Sequence, residues 1–447
     1  MSSLKRVTEI PGPKSRELFA REAAHLAPGL QGFAQLAGVV MESGSGSRMR
    51  DVDGNEFIDF IGGIGVNGLG HSHPRYVKAI QEQVAKLSVG SFSSIPRLEL
   101  VEKVAKLAPG RLDQLQLYSG GAEAVESALR LAKCHTGKWE FVGFWGGFHG
   151  KTLGAMGLLG DGQKNAYGPF APGSHLSPFP DFYRCPFGTK TPEASRDACL
   201  DHLRKLMKKN TAGAVAAIII EPCQGTAGNI IPPPGWWKGV REIADEFECL
   251  LIADEMITGF GRTGEWFASA EEGVEPDIIT LGKSFAGGFP ASGVVTSRDI
   301  AQALPWAKPS GSSSSYGGNA LAAVAALTAI EIIEEEVLLE NSRKRGEELL
   351  ARLRKMQERF EFIGEVRGKG LFVGIELVKD RKTKEPLSIE IMEQFYRRSV
   401  DHGLLAMSYK PTIRIQPALN IDAETLASGC DLFELLFQYL NEEMKLR

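Results

Sequence analysis

One carboxylate and one amine end two apolar segments of the sequence, and together they could bind a heterocycle that carries an aldehyde. Asp254 closes the apolar run 250–254, and Lys283 follows the run 277–282. In a parallel sheet flanked by helices, side chains at the carboxyl ends of the strands meet in the ligand crevice. There the amine can condense with an aldehyde, and the acid can keep a ring nitrogen protonated. The pair therefore predicts pyridoxal phosphate chemistry.

A glycine turn before a helical pattern could bind a phosphate group. The segment Ser119-Gly-Gly-Ala122 ends a short apolar run and precedes a helix predicted over residues 123–133. Backbone N–H groups at a helix start bind anions, and glycine lets the ligand approach closely. We therefore predict phosphate contacts at Gly121 and Ala122. A nucleotide-binding P-loop is disfavoured because no Gly-Lys-Ser/Thr follows the glycines.

Several sequence blocks occur in the order found in one enzyme family. Besides the segments of Asp254 and Lys283, they are Ser119-Gly-Gly-Ala-Glu-Ala-Val-Glu126, Gly147-Phe-His-Gly-Lys-Thr152, Glu221-Pro-Cys-Gln-Gly225, Gly259-Phe-Gly-Arg-Thr-Gly264 and Ser315-Tyr-Gly-Gly-Asn319. In this order they closely resemble the class III aminotransferases, from about residue 54 to about residue 420. The resemblance implies a fold-type I enzyme that uses pyridoxal phosphate and acts as a homodimer.

The resemblance implies a role for each residue of the cofactor site. Lys283 would hold the cofactor as a Schiff base and move the substrate proton, and Asp254 would bond the ring N–H. Phe148 would stack on the ring, and Gln224 would bond its phenolic oxygen. The cofactor-binding residues predicted in this way are Gly121, Ala122, Phe148, His149, Glu221, Gln224, Asp254, Lys283 and Ser315.

Two of these residues have distinct expected roles. Glu221 ends a predicted strand and is expected to organise the loop that follows it. Ser315 lies in a segment that, in the family, crosses the dimer interface and gives a hydroxyl to the other subunit's cofactor phosphate. The family usually has threonine there, and serine keeps the hydroxyl. The resemblance therefore implies active sites that are shared between two subunits.

Four residues are predicted to contact the substrate: Arg414, Lys151, Ile64 and Thr226. Arg414 matches a family arginine that grips a substrate carboxylate with paired hydrogen bonds. Lys151 keeps the charge of the arginine with which the 4-aminobutyrate branch holds a distal carboxylate, and Ile64 lies in a segment that resembles the substrate loop of that branch. Thr226 replaces a glutamate that, in some members, pairs with the substrate arginine and swings away for dicarboxylates.

These residues predict an aminotransferase that moves an amino group from an amine or an ω-amino acid, such as 4-aminobutyrate, to pyruvate or 2-oxoglutarate by a ping-pong mechanism. An amino acid racemase or epimerase is an alternative, because it removes the same α-proton. A decarboxylating transaminase of the dialkylglycine decarboxylase type is another, because a small hydroxyl residue replaces the glutamate there too. The natural donor and acceptor, the stereochemistry, and dimer versus tetramer stay open, because single contacts decide them.

Composition indicates a globular enzyme that works in the cytoplasm. The net charge of −4 disfavours nucleic acid and anionic membranes as partners. The longest mostly apolar stretch, residues 320–330, is too short to cross a membrane, and the N-terminus lacks the apolar segment of a secretion signal. The six cysteines have no metal-site spacing, so we expect reduced thiols and no metal site.

The elements expected around these residues give an α/β fold of two domains. Short apolar strands alternate with helical patterns, which predicts a large, mostly parallel sheet covered on both faces; the strands are expected at 115–118, 141–142, 217–220, 250–252, 278–281 and 293–295. Residues 66–333 are predicted to form this cofactor-binding domain. Residues 1–65 and 334–447 are predicted to form a small α+β domain, which begins with a hairpin over residues 51–60. The charged segment 331–360 predicts a solvated helix that connects the domains.

Overall fold

A computed structural model describes residues 4–445 of the chain. These residues divide into two compact units. The first unit runs up to Pro74 and resumes at Val337, and the second unit is Arg75–Glu336. The predicted domain boundaries after residues 65 and 333 stay a prediction.

The helices of the described residues are, in chain order, α1 (Pro13–Ala23), α2 (Gly32–Ala37), α3 (Gly62–Gly65), α4 (Pro74–Val84), α5 (Ile95–Leu107), α6 (Gly121–Thr136), α7 (Leu153–Met156), α8 (Pro192–Lys209), α9 (Trp236–Glu246), α10 (Arg298–Ala301), α11 (Ala320–Glu335), α12 (Leu338–Arg359), α13 (Ile389–Asp401) and α14 (Ala423–Lys445). The strands are β1 (Met41–Ser45), β2 (Arg48–Asp51), β3 (Glu56–Asp59), β4 (Gln114–Tyr118), β5 (Glu140–Phe144), β6 (Ser174–Ser177), β7 (Val215–Ile220), β8 (Leu250–Asp254), β9 (Ile278–Leu281), β10 (Ser292–Thr296), β11 (Ile363–Lys369), β12 (Phe372–Asp380), β13 (Glu385–Pro386), β14 (Leu404–Leu405) and β15 (Thr412–Ile415). Short 3₁₀ turns lie at Gly162–Lys164, Ala268–Ala270 and Lys283–Ala286.

The second unit is built on a seven-stranded sheet with the order β4-β10-β9-β8-β7-β5-β6. The strands from β9 to β6 pair in parallel, whereas β10 is antiparallel to both of its neighbours, β9 and β4. Because two reversals cancel, β4 runs in the same direction as β9. The predicted α/β fold with a large sheet is confirmed, and the sheet is mixed because of this one reversed strand.

Apolar runs in the sequence identified most strands of this sheet. Each of the six predicted strands is present, with small shifts at its ends. The sequence did not indicate β6, because its residues Ser174-His-Leu-Ser177 have no apolar run. All residues of β5, β7, β9 and β10 are buried, so both faces of the sheet are covered. Helix α6 packs against β9 and β10, and α9 packs against β8.

Because all strands of this sheet except β10 run in the same direction, the strand ends that precede the predicted site residues lie at one edge of the sheet. Strands β4, β5, β7, β8 and β9 end at Tyr118, Phe144, Ile220, Asp254 and Leu281. Parallel strands place their carboxyl ends, and the loops that follow them, at the same edge. The predicted phosphate turn, acid and lysine therefore follow neighbouring strands at that edge.

The first unit contains two smaller sheets. Strands β2 and β3 form the predicted hairpin, with Met49 opposite Phe57, and β14 pairs in parallel with β3. The other sheet has the order β11-β12-β13, and β15 also pairs with β12. Helices α12 and α14 pack together in this unit, and α12 also packs against β11.

The prediction of one solvated helix over residues 331–360 is wrong. Helix α11 ends at Glu335, and Val337, with a φ of 55°, separates it from α12. The leucines of α12 are buried in the core of the first unit, among them Leu349 and Leu353. Most charged residues of this helix lie on its outer face, and Arg345 is a buried exception, so the pattern is that of an amphipathic core helix.

No helix within residues 4–445 combines the length and the apolar character that crossing a membrane requires.

Candidate active site

The start of α6 has free positions for an anion. Ala124 makes the first intrahelical bond, to the Gly120 carbonyl oxygen at 3.1 Å. The Glu123 carboxylate accepts from the backbone N–H groups of Ser119, at 3.0 Å, and Gly120, at 3.4 Å, and so fixes the turn. The N–H groups of Gly121 and Ala122 come before that first bond, where helices bind phosphate. This turn fits the phosphate of a cofactor.

Close packing around this turn depends on glycine. A Cβ atom on Gly150, whose φ is +124°, would lie 2.5 Å from the Ala122 Cβ. A Cβ atom on Gly121 would lie 3.0 Å from the Met256 Sδ, and one on Gly282 would lie 2.6 Å from the same atom. The loop after β5 therefore rests on the helix start, and Met256 lies beneath both the phosphate turn and the residue before Lys283.

Asp254 ends β8 and is 2% exposed. Its Oδ2 lies 2.7 Å from His149 Nδ1, and its Oδ1 accepts from the Thr280 hydroxyl at 2.9 Å and the Met256 N–H at 3.2 Å. A carboxylate has about four acceptor positions, so the three partners leave one for a further donor. A protonated ring nitrogen is a donor of the required kind, and the acid therefore fits a pyridinium ring.

His149 is buried against Asp254. Burial by itself disfavours the charged imidazole, but the hydrogen bond and negative charge of Asp254, with the added charge of Glu221, outweigh it and raise the pKa of His149. A protonated His149 donates its Nδ1–H to Asp254. The histidine therefore holds this carboxylate in one orientation.

Glu221 is a second buried acid and follows β7. Its Oε1 accepts from the Phe148 N–H at 2.9 Å, and its Oε2 accepts from the Gly225 N–H at 2.9 Å. Burial raises the pKa of Glu221 to about 6, against the positive charge of His149. This one carboxylate therefore ties the loop that carries Phe148 to the loop that carries Gln224.

Gln224 is held by its neighbours on both sides. Its backbone exchanges two hydrogen bonds with Ile230, at 3.0 and 2.9 Å, and its side-chain amide donates to the Trp145 carbonyl oxygen at 2.8 Å. A Cβ atom on Gly146 would lie 2.7 Å from the Gln224 Oε1. The side chain is therefore fixed between two loops at the carboxyl edge of the sheet.

Lys283 occupies an unusual backbone position. It begins a 3₁₀ turn after β9 and has a φ of +48°, in the left-handed region. That region costs a residue with a side chain about 1–2 kcal/mol. The turn is held from outside by Tyr76, whose hydroxyl donates to the Ala286 carbonyl oxygen at 2.6 Å. Such strain is concentrated at functional sites, where the surrounding structure maintains it.

The other predicted residues of the second unit lie in loops. Thr226 is half-buried in the loop that follows Gln224. Lys151 is exposed between Gly150 and α7, and Ser315 is exposed in the loop before α11.

The remaining two predicted substrate residues belong to the first unit. Arg414 lies in β15 opposite Gly374 of β12 and is half-buried. Ile64 has a φ of 65° and packs against an apolar cluster that includes Phe57 and Tyr396. Their predicted roles stay predictions.

Sequence reasoning did not identify Thr280 or Met256. Thr280 was overlooked as part of an apolar strand, although it is the one hydroxyl residue of β9. A buried hydroxyl requires a hydrogen-bond partner. A threonine inside an apolar strand was therefore the signal that could have indicated a polar neighbour for Thr280. Met256 has no comparable signal, because its role depends on which glycines lie next to it.

The sequence profile described as "Aminotransferase class-III" matches residues 32–437. The chain belongs to this family. Its cofactor is pyridoxal phosphate, and one similar solved structure, an amine transaminase from an uncultivated Pseudomonas species, holds that cofactor. That structure has a TM-score of 0.86 and 30% identity to this aminotransferase, and the match covers 93% of this chain and 98% of the other.

Two curated relatives illustrate the range of activities among similar proteins. A leucine/methionine racemase of Thermococcus litoralis is 37% identical over 403 residues, which cover 89% of this chain and 90% of the relative. A 5-aminovalerate aminotransferase of Pseudomonas putida is 36% identical over 415 residues, which cover 91% of this chain and 95% of the relative.

Glu221→Gln is expected to change how stability depends on pH. The pKa of Glu221 is raised from 4.5 to about 6 in the folded chain, so stability that is present below pH 4.5 is lost as the pH rises through 6. The glutamine variant lacks this loss, so its free energy of unfolding relative to the parent should rise by about 2 kcal/mol across that window. Urea unfolding of the cofactor-free chains at a series of pH values measures it. A difference that stays constant from pH 4 to pH 7 would contradict the assignment.

Proposed function

We propose that this class III aminotransferase moves an amino group from an ω-amino acid or an amine, of the 4-aminobutyrate or 5-aminovalerate kind, to pyruvate or 2-oxoglutarate. The observation that carries the proposal is the pairing of a buried acid, Asp254, with a strained lysine, Lys283, after neighbouring strands. The 36% identity to a 5-aminovalerate aminotransferase supports the choice of donor.

The residues of the site divide the work between binding and proton transfer. Pyridoxal phosphate, when bound, supplies an aldehyde for the amino group and a ring that takes up electron density from the substrate's α-carbon. The N–H groups of Gly121 and Ala122 would hold its phosphate, and Asp254 its ring N–H. Lys283 Nζ would hold the cofactor covalently and move the α-proton of the substrate.

Three further residues would complete the cofactor site. His149 would hold Asp254 in the orientation that meets the ring N–H. Phe148 would cover one face of the ring and exclude water from it. Gln224 would donate to the phenolic oxygen, and Glu221 holds the loops of both residues in place.

Substrate recognition is proposed to rest on charge. Arg414 would bind a carboxylate with paired hydrogen bonds, and Lys151 would attract a distal acidic group. Thr226 brings no charge where other members have a glutamate, so position 226 would not compete with a substrate carboxylate for Arg414 in either half-reaction. Ile64 would contact the apolar part of the substrate.

We further propose that the enzyme is a homodimer with shared active sites. The strongly exposed apolar side chains of the second unit include Phe92 (91%), Ile95 (72%), Tyr316 (65%) and Leu98 (56%). Of these, Ile95 and Leu98 line one groove together with Gly317. Ile95 and Leu98 lie on α5, and Tyr316 follows Ser315 directly. Clustered exposed apolar side chains mark interaction surfaces. A second copy that covers this surface would meet Ser315, which would bind the cofactor phosphate of the partner subunit.

A cytoplasmic location is also proposed. The support is the cysteine chemistry: within residues 4–445, which include all six cysteines, no disulfide is formed. Cysteines outside disulfides are usual in a reducing compartment.

Amino acid racemisation is the second candidate function. It is favoured by the 37% identity to a leucine/methionine racemase over most of both chains. Both reactions need a lysine that removes an α-proton, so the cofactor site described above serves either. The two reactions differ in whether a 2-oxo acid is consumed.

Product analysis with and without a 2-oxo acid tests the proposed function. With 4-aminobutyrate or 5-aminovalerate as donor, we expect glutamate from 2-oxoglutarate or alanine from pyruvate, and neither product from Lys283→Ala. Chiral chromatography of L-leucine, L-methionine and L-alanine incubated alone should show no D-enantiomer. Formation of D-amino acids without a 2-oxo acid, together with no amino transfer, would contradict aminotransfer and establish racemisation.

Arg414→Ala is expected to weaken the reaction of substrates that carry a carboxylate. In single-turnover half-reactions, kcat/KM for such donors should fall about 100-fold, because a paired charge-assisted interaction is lost. Arg414→Lys should restore part of the lost kcat/KM, since lysine keeps the positive charge but cannot make the paired hydrogen bonds of a guanidinium group. A simple amine without a carboxylate is the internal control and should react at the parent rate. Equal losses for both kinds of donor would contradict the role of Arg414.

A further inference from the structure

A cluster of buried hydroxyl groups lies at the end of β4, outside the residues discussed so far. The Tyr118 hydroxyl is within hydrogen-bond distance of the Ser127 and Ser312 hydroxyls, and it lies 2.9 Å from the Ser312 carbonyl oxygen. The two serine hydroxyls are 3.0 Å apart, and the Trp306 indole N–H donates to Ser127 at 3.1 Å. We call these four residues the Tyr118 cluster.

The hydrogen-bonding capacity of the Tyr118 cluster is satisfied internally. Tyr118 can donate its proton to the Ser312 carbonyl oxygen while its own oxygen accepts from the Ser127 and Ser312 hydroxyls. All four side chains are buried, with Tyr118 2% exposed and Ser127 fully buried. A buried polar group that loses its partner costs more than an average hydrogen bond contributes. The cluster therefore fixes the position of Ser312 relative to β4 and α6.

The chain after Ser312 returns to the same strand five residues later, at Gly317. A Cβ atom on Gly317 would lie 2.2 Å from the Leu117 carbonyl oxygen, so the backbone there rests on β4. Asn319 then caps α11: its Oδ1 accepts from the Ala322 N–H at 2.9 Å, and its Nδ2 donates to the Tyr316 carbonyl oxygen at 2.7 Å. This end of the loop is therefore also held in place.

Between these two anchors the loop faces outward. Ser313, Ser315 and Tyr316 are exposed, whereas Ser312 and Gly318 on either side are buried. Because this short segment is held at both ends, its exposed side chains have fixed positions. They can therefore contact another molecule, such as a second subunit. All three exposed residues carry a hydroxyl, and Ser315 is the one to which the proposed function assigns the phosphate.

We propose that Tyr118 is a positioning residue that holds Ser315 for the cofactor phosphate of the partner subunit. The inference rests on the proposed function, in which Ser315 acts across the dimer interface. Tyr118 also leads directly into Ser119-Gly-Gly-Ala122, the phosphate turn of its own subunit. The end of β4 would thus serve two active sites. Its main chain continues into the phosphate turn of its own subunit, and the Tyr118 hydroxyl supports the loop whose Ser315 would reach the active site of the partner subunit.

The first test compares two tyrosine variants of the holoenzyme. Tyr118→Phe should lose cofactor about tenfold faster than the parent, since a charge-assisted hydrogen bond to phosphate is weakened. Tyr396→Phe is the matched control, because its buried hydroxyl also donates to a carbonyl oxygen, that of Phe33 at 2.8 Å, but in the first unit. The Tyr396→Phe variant should have a lower thermal stability than the parent but should release cofactor at the parent rate. Ser312→Ala should behave like Tyr118→Phe.

The readout is the rate at which cofactor absorbance leaves the protein on gel filtration. Equal release from Tyr118→Phe and the parent, or from the two tyrosine variants, would overturn the proposal. Ser315→Ala separates this failure from a failure of the shared site. If Ser315→Ala releases cofactor quickly and Tyr118→Phe does not, the shared site stands and the role of Tyr118 falls; if Ser315→Ala retains cofactor like the parent, both fall.

The second test asks in which subunit Tyr118 acts. Mixed dimers carry Lys283→Ala in one subunit, so that only the other subunit holds cofactor covalently. When Tyr118→Phe is placed in the Lys283→Ala subunit, the functional site receives its loop from the altered subunit, and cofactor release should be fast. When Tyr118→Phe is placed in the subunit that keeps Lys283, release should match a mixed dimer without it. The reverse pattern, or equal release in both arrangements, would overturn the proposal.

Discussion

The site depends on a buried negative charge, that of Asp254, being held in one orientation. A carboxylate that is 2% exposed is tolerated only when charged or hydrogen-bonding partners replace the water it has lost. His149 and Thr280 supply those partners from the loop after β5 and from β9. Because one partner lies in a loop and the other in a neighbouring strand, the carboxylate cannot turn without losing a hydrogen bond. Its orientation is a property of the fold.

The site contains a second buried acid, Glu221, which affects its net charge. Burial raises the pKa of Glu221 to about 6, and the negative charges of Asp254 and Glu221 raise the pKa of His149. Two acids and one base leave an excess of negative charge in a place with little water. A cofactor with a protonated ring nitrogen brings positive charge to the same place. The electrostatics of the site are therefore matched to the cofactor of its family.

Local sequence signals identified the parts of the structure that local chemistry determines. Apolar runs predicted six of the seven strands of the large sheet, and the glycine turn predicted the start of α6 to within two residues of Gly121. The Tyr118 cluster was out of reach, because it joins residues that are up to 194 positions apart. Thr280 was overlooked for a related reason. Its partner, Asp254, is close only because β8 and β9 are neighbours in the sheet. Helix α12 was misread because charge density was weighed above the spacing of its leucines.

The measurement that tests the central claim most directly is borohydride reduction of the purified enzyme loaded with pyridoxal phosphate, followed by peptide mass spectrometry. The account predicts one pyridoxyl-phosphate modification per chain, on the peptide that contains Lys283, and none on the corresponding peptide of Lys283→Ala protein treated in the same way. A modification on another lysine, such as the exposed Lys151, or no modification at all, would contradict it.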